Sequence, residues 1–377
     1  MRLPEISIPP GQIDDYLKNY RYPCRFVLQK GRYTTRGIWN FFPNFDGCML
    51  PPGSELIGEG SSLTQLELYN TVNFVNNKTA LYHTVLTAGN RTSGSRVSQA
   101  NYCKISGITI ECDSNLPTIG IQTWSSNVTV EDVVVKNVQG DFPSRMEGFG
   151  ILINNSGNEN EFDGGHILRD CKVYSKPNSY VTAIYVGCLK RNIPLETSLI
   201  DNCKSLCYST SSLSKCHAAF GINSNLIINN CESYGYENAI FNDTNDTYNV
   251  QINNSMFKNI GYSFISLRAN ESGWNRQNIK AINCFVEFSN TKQDHVAVLI
   301  CDDQSSTQDK SIMKNIIIDN CVIENKTHKT FYYGSVNGKY FQNIGIKNSI
   351  LPKSNCGSVI AGKSSGSMWI DNQNILQ

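Results

Sequence analysis

Asn315-Ile-Ile-Ile-Asp-Asn-Cys-Val-Ile323 places apolar and polar residues on either side of an Asp-Asn pair. That is the pattern of a strand with one face buried and one exposed, interrupted by a bend. A helical period fits it poorly. The phrase appears nine times: Ile105-Ser-Gly-Ile108, Val130-Glu-Asp-Val133, Leu168-Arg-Asp-Cys171, Ile200-Asp-Asn-Cys203, Ile228-Asn-Asn-Cys231, Ile252-Asn-Asn-Ser255, Ala281-Ile-Asn-Cys284, Ile318-Asp-Asn-Cys321 and Ile346-Lys-Asn-Ser349. Successive phrases end 24 to 38 residues apart, so a minimum length is held while the excess varies. A solenoid with a constant strand frame and surface loops of unequal length reads this way.

A second apolar phrase follows each of these but one, at Ile119-Gly-Ile121, Phe149-Gly-Ile151, Ala183-Ile-Tyr185, Ala219-Phe-Gly221, Ala239-Ile-Phe241, Phe264-Ile-Ser266, Val296-Ala-Val298 and Val359-Ile-Ala361. In the coil that begins at Ile318 it has no evident counterpart. The expected fold is all-β, a right-handed parallel β-helix over residues 24–377. Residues 1–23 are read as an N-terminal cap, with Gly11 to Tyr20 as a short amphipathic helix presenting Ile13, Tyr16 and Leu17 to the open first coil. Ser364 to Asn372 is expected to hold the last strand or flap.

Asn recurs at the bend, at Asn202, Asn230, Asn254, Asn283, Asn320 and Asn348. It tolerates left-handed backbone, and stacked amides can bond from coil to coil. Of the 14 cysteines, Cys171, Cys203, Cys231, Cys284 and Cys321 each follow Asp or Asn at the same place in the phrase. Small residues in register with core positions are expected to be buried free thiols rather than a disulfide framework. No close cysteine pair has zinc-finger spacing.

The 377 residues are 40% hydrophobic and 17% charged, enough apolar material for a continuous core. Net charge is +1 with no run of Lys and Arg, so a nucleic-acid partner is not expected. No apolar stretch approaches the roughly 20 residues of a membrane span, and the opening residues lack the apolar core of a signal peptide. The compartment stays open among retention in the producing cell, a removed leader, and release by another route such as a virion.

Phe26-Val-Leu-Gln-Lys-Gly-Arg-Tyr-Thr-Thr-Arg-Gly37 followed by Cys48-Met-Leu-Pro-Pro-Gly-Ser-Glu-Leu-Ile-Gly-Glu-Gly-Ser-Ser-Leu-Thr-Gln-Leu66 resembles the opening of pectin-lyase-like β-helix proteins. With the Asn-Cys coils, the resemblance covers nearly the whole chain. It implies a polysaccharide partner held along the outer face of one sheet, often by a glycoside hydrolase or polysaccharide lyase. It implies, as the alternative, a noncatalytic scaffold or a tailspike-like virion protein that assembles as a homotrimer. The catalytic signatures of polygalacturonases and of classical pectate lyases are missing, so no active site carries over. Fold alone does not specify chemistry.

Sugar recognition calls for flat rings under pyranose faces and planar polar groups for hydroxyls. Residues expected to point outward from the second phrase supply that mixture. Trp124, Asn154, Tyr185, Asn223 and Arg268 are the candidate substrate-binding residues, with Gln122 also expected to face outward and Trp124 read equally as a packed surface ring. Glu147, Asp243 and Asp302 are the candidate catalytic carboxylates, since glycoside hydrolysis needs two carboxyl groups about 5–9.5 Å apart. Glu147 lies in the longest insertion, with Asp141 and Arg145 near it in sequence. A lyase would instead use a base and a cation such as Arg268. No cofactor is called for; Asp302-Asp303 is the one place suggestive of Ca²⁺, although consecutive strand residues point oppositely. His166 and His217 are expected at surfaces or turns rather than as metal ligands.

Overall fold

The computed structural model describes residues 2–20, 22–39, 47–69, 83–88, 102–123, 125–155, 164–188, 196–208, 216–242, 246–268, 275–289, 296–301, 312–324, 329–333, 341–351, 368–370 and 375–376. The fold is a right-handed parallel β-helix, and the chain divides into two compact units, Met1–Tyr208 and Ser209–Gln377.

In the first unit, parallel pairing begins at Glu5–Ile8, which lies beside Arg25–Leu28; that strand in turn pairs with Glu55–Gly58. Cys103–Glu111 pairs with Glu55–Gly58 and Thr64–Leu68 on one side and with Val128–Val138 on the other. Ile167–Arg169 and Lys172–Ser175 follow, then Ser198–Asp201 and Lys204–Leu206. The second sheet of this unit contains His83–Ala88, Thr118–Thr123, Gly148–Asn155 and Val181–Cys188 in parallel order.

The second unit repeats the plan. Thr247–Asn253, Arg276–Ile282, Met313–Asp319, Phe341–Lys347 and Met368–Ile370 form successive rungs of one sheet. Tyr236–Asn242, Ser263–Arg268, Val296–Cys301 and Lys329–Tyr333 form rungs of the other. Lys329–Tyr333 is the strand that the second phrase left unplaced in the coil of Ile318.

The bends explain the repeated phrase. Gly107, Asp132, Asp170, Asn202, Asn230, Asn254, Asn283, Asn320 and Asn348 all have φ between +48° and +67°. That region costs most L-residues about 1–2 kcal/mol, and Gly, Asn and Asp occupy it most readily. The residue after the bend then solves a local hydrogen-bond problem. The amide of Cys231 donates to Ser255 Oγ (3.0 Å), that of Cys284 to Cys321 Sγ (3.3 Å), and that of Cys321 to Ser349 Oγ (3.1 Å). The next amide along returns to the ladder, as Val322 N–H to the Cys284 carbonyl (2.9 Å) shows. Cys and Ser alternate in this column because either supplies a small acceptor to a buried amide that would otherwise be unpaired. Cys171, Cys203, Cys231, Cys284 and Cys321 are all buried and free, as their register requires.

The N-terminal segment departs from expectation. A single helical turn, Asp14–Leu17, stands where a helix from Gly11 to Tyr20 was expected, and Gly11–Gln12 is instead a strand beside Tyr33–Thr34. Ile13 and Leu17 are buried, but Tyr16 is 39% exposed. The buried Asp14 carboxylate holds the turn to the neighbouring coil by accepting from Thr35 Oγ1 (2.6 Å) and Arg36 N–H (2.7 Å). Glu5–Ile8 and Gly11–Gln12 are thus strands of the sheet, upstream of the expected start at Cys24. The expected last strand is present as Met368–Ile370, while Val359 to Ala361 lie outside the described residues.

Candidate functional site: a groove over the amide ladder

In the second unit, five successive coils carry an Asn five residues before the bend Asn: 225 and 230, 249 and 254, 278 and 283, 315 and 320, 343 and 348. The earlier member of each pair also has positive φ, between +50° and +59°. These side chains form a continuous ladder. Asn249 Nδ2 donates to Asn225 Oδ1 (2.9 Å), Asn278 to Asn249 (3.1 Å), Asn315 to Asn278 (2.9 Å) and Asn343 to Asn315 (2.9 Å). The indole Nε1 of Trp369 donates to Asn343 Oδ1 (3.0 Å) and ends the series.

Alongside the ladder runs a groove of about 700 Å³. Its floor follows one register column, Gln251, Lys280, Ile317, Gly345 and Trp369. The indole lies against Gly345: a Cβ built there would meet Trp369 Cε2 at 2.3 Å and Cδ2 at 2.4 Å. Gly345 is thus the one position in the column that lets an aromatic ring lie flat on the sheet. The opposite wall is the column Ile282, Asp319, Lys347. Lys347 Nζ is 3.0 Å from Asp319 Oδ2, and Asn348 Nδ2 donates to Asp319 Oδ1 (2.9 Å). Partial burial raises the Asp319 carboxyl, but the hydrogen bonds from Asn348 and Lys347, with the charges of Lys347 and Lys280, more than offset it and hold it below the usual carboxylate range. Asp319 is therefore an ionised, paired group.

The corresponding sheet in the first unit carries a chain of cross-rung ion pairs. Lys104 pairs with Glu131 (3.2 Å), and Arg169 bridges Glu131 (3.9 Å) and Asp201 (3.8 Å). One place differs. Glu67 and Glu111 are direct register partners on adjacent strands, with Lys136 on the next. Burial raises the Glu111 carboxyl; the Asn137 hydrogen bond and Lys136 lower it, while Asp113 and Glu67 push it up, and the net shift is upward.

The residues expected to form the site lie mainly on the second sheet, and the structure does not assemble them as expected. Strands there are buried on both faces: His83–Ala88, Thr118–Thr123 and Cys216–Gly221 contain no exposed residue. Gln122 is 1% and Asn223 2% exposed, which removes both from an open binding face. Tyr185 is half-buried, edge-to-face with Phe149 at 6.1 Å. Its register partner is Leu152, while Asn154 aligns with Gly187, so Tyr185 and Asn154 are not in one column. Arg268 ends its strand opposite Cys301. Glu147 is half-buried and accepts a hydrogen bond from Thr182 Oγ1. Near it, Asp141 accepts from Ser144, and Arg145 is exposed, with no ion pair within 4.0 Å among the described residues. Trp124, Asp243, Asp302 and Asp303 lie outside the described residues. His166 and His217 are buried, 1% and 3% exposed, not at the surface. His166 Nδ1 accepts from the Val128 amide (3.3 Å), and burial lowers its pKa to about 4. Among the described residues no three His, Cys, Asp or Glu side chains converge as a metal site. No described helix is long and apolar enough to cross a membrane.

No protein-family model matches the sequence, nor does any curated protein. Solved structures do resemble it. The catalytic domain of a GH87 alpha-1,3-glucanase in complex with nigerose superposes with a TM-score of 0.52 at 12% identity, covering 99% of this chain and 69% of that one. A mutant tailspike protein of E. coli bacteriophage HK620, in complex with pentasaccharide, gives a TM-score of 0.68 at 12% identity, over 96% of this chain and 61% of the tailspike. Identity this low establishes a shared β-helix fold and nothing finer.

Proposed function

We propose that this chain binds a polysaccharide along the outward face of the first sheet in the unit Ser209–Gln377. The observation that carries the reading is the indole of Trp369 laid flat on Gly345, in line with an amide ladder and a polar column. An aromatic face stacks on a sugar ring, and planar amides at a fixed repeat serve successive hydroxyls. Rungs recur every ~4.8 Å, so the five from Gln251 to Trp369 span about 19 Å, long enough for several linked sugars. The glucanase and the tailspike were each solved with a saccharide, which supports the reading by analogy of fold. The chain spans 61% of the tailspike's length, and trimeric assembly or a virion role is likewise a proposal here.

Binding to a panel of neutral and acidic polysaccharides, measured by affinity electrophoresis and calorimetry, tests this. At least one should bind, and Trp369→Ala should weaken it about tenfold or more, the loss of one stacked ring. A ligand bound equally by Trp369→Ala would remove the groove from the reading.

Cleavage is a second reading, favoured by Glu67 and Glu111. Adjacent rungs about 4.8 Å apart suit the roughly 5–5.5 Å carboxyl separation of a retaining glycosidase. The upward shift of Glu111 suits a general acid. Among the described residues the groove itself holds one carboxylate, Asp319, already paired. If reducing ends are released from a bound glycan, Glu111→Gln should abolish release and leave binding intact. Release undiminished in that variant would exclude this pair.

A further inference from the structure

The charges of the groove say what kind of glycan it takes. Among the described residues its charged lining is Asp319, Lys347 and Lys280. Asp319 and Lys347 neutralise each other at 3.0 Å. Lys280 is exposed and has no ion pair within 4.0 Å among the described residues; its nearest register partners are Gln251 and Ile317, neither of them anionic. The Lys280 ammonium therefore stands over the floor of the groove beside an apolar side chain, and the nearest carboxylate acting on it, Asp319, is already paired with Lys347. Trp369 covers the rung of Gly345, and Lys280 stands two rungs away, about 10 Å at ~4.8 Å per rung.

We infer that the groove takes an anionic glycan, with a carboxylate or sulfate on one sugar held by Lys280 and another sugar, about 10 Å along the chain, seated on Trp369. This rests on the glycan-binding reading of the same groove. A neutral polymer would cover the ammonium with only the already paired Asp319 to compensate it, whereas an acidic sugar supplies a charge-assisted hydrogen bond where Gln251 and the ladder amides supply neutral ones.

The test compares a polyuronate, the same polymer after chemical reduction of its carboxyl groups, and a sulfated glycan, against the intact chain and three variants: Lys280→Gln, Lys314→Gln and Trp369→Ala. Lys314 is exposed on a neighbouring register column and does not line the groove, so its substitution makes the same change in net charge elsewhere. The polyuronate or the sulfated glycan should bind, and whichever does identifies the anion. Lys280→Gln should weaken that ligand about tenfold, Lys314→Gln much less. For a polyuronate, carboxyl reduction should cost the intact chain about as much and the Lys280→Gln variant little more. Equal binding of acidic and reduced polymers, or equal losses in Lys280→Gln and Lys314→Gln, would overturn the inference. If Trp369→Ala still lost affinity in that case, glycan binding would stand without a charged ligand. Absence of any bound glycan in the intact chain would overturn both readings together.

Discussion

At the scale of single residues, the column after the bend makes a quantitative claim. Cys321 is buried and free, its Sγ accepts the Cys284 amide, and it also contacts the Asp319 carbonyl (3.3 Å). Ser349, at the equivalent place, bonds Lys347 O at 2.7 Å and accepts the Cys321 amide. Serine should therefore substitute for cysteine at small cost, while alanine leaves the Cys284 N–H orphaned. Cys321→Ser is expected within about 1 kcal/mol of the parent in denaturant unfolding, and Cys321→Ala about 1–3 kcal/mol less stable. Equal stabilities of the two variants would show that only volume matters there. The Asn-Cys phrase was readable without coordinates because each of its residues answers a local need: left-handed backbone first, a small acceptor second.

At the scale of strands and bends, legibility depended on whether an element's signal is local. The nine bends fall where the phrase placed them, since φ above zero leaves a residue-type signature. Lys329–Tyr333 escaped because Lys-Thr-Phe-Tyr-Tyr lacks the small apolar pattern of its counterparts. Ile13 and Leu17 have helical spacing, but the helix is a single turn because Gly11–Gln12 is drawn into the sheet by pairing with a distant strand. Of the candidate site residues, Trp124, Asp243 and Asp302 lie outside the described residues, and Asn223 is buried. Alternation predicts Gln122 and Asn223 outward, yet these strands are buried on both faces, as parallel strands commonly are, and alternation then identifies no solvent side. The groove is built from ordinary residues, Asn, Lys, Ile and one Trp, that come together only through register across coils. A usable signal existed in the Asn pairs spaced five apart; the first member of each pair marks the ladder that the single bend column did not reveal.

At the scale of the whole molecule, stability should depend on pH through the buried histidines. Burial holds His166 neutral, with its pKa lowered from 6.5 to about 4, and His83 is shifted the same way. As pH falls through about 6.5 the unfolded chain takes up a proton that the folded chain refuses until about 4. Stability from His166 is thus complete above pH 6.5 and is lost between 6.5 and 4, up to about 3 kcal/mol. Asp14 and Glu111, whose carboxyls are raised, act in the opposite sense as pH falls, so the histidine effect is read from a difference. Urea midpoints between pH 7 and 4.5 should fall more steeply for the parent than for His166→Gln; parallel profiles would mean that His166 is not held neutral. The groove has a further consequence for cohesion. Asn249, Asn278, Asn315 and Asn343 both fasten coil to coil and line the surface a ligand would occupy. A polymer lying across them would act as a splint, clamping together rungs far apart in sequence. Occupancy would then slow fraying of the last coil, where Trp369 is held, and a cargo chain would become part of what keeps its carrier wound.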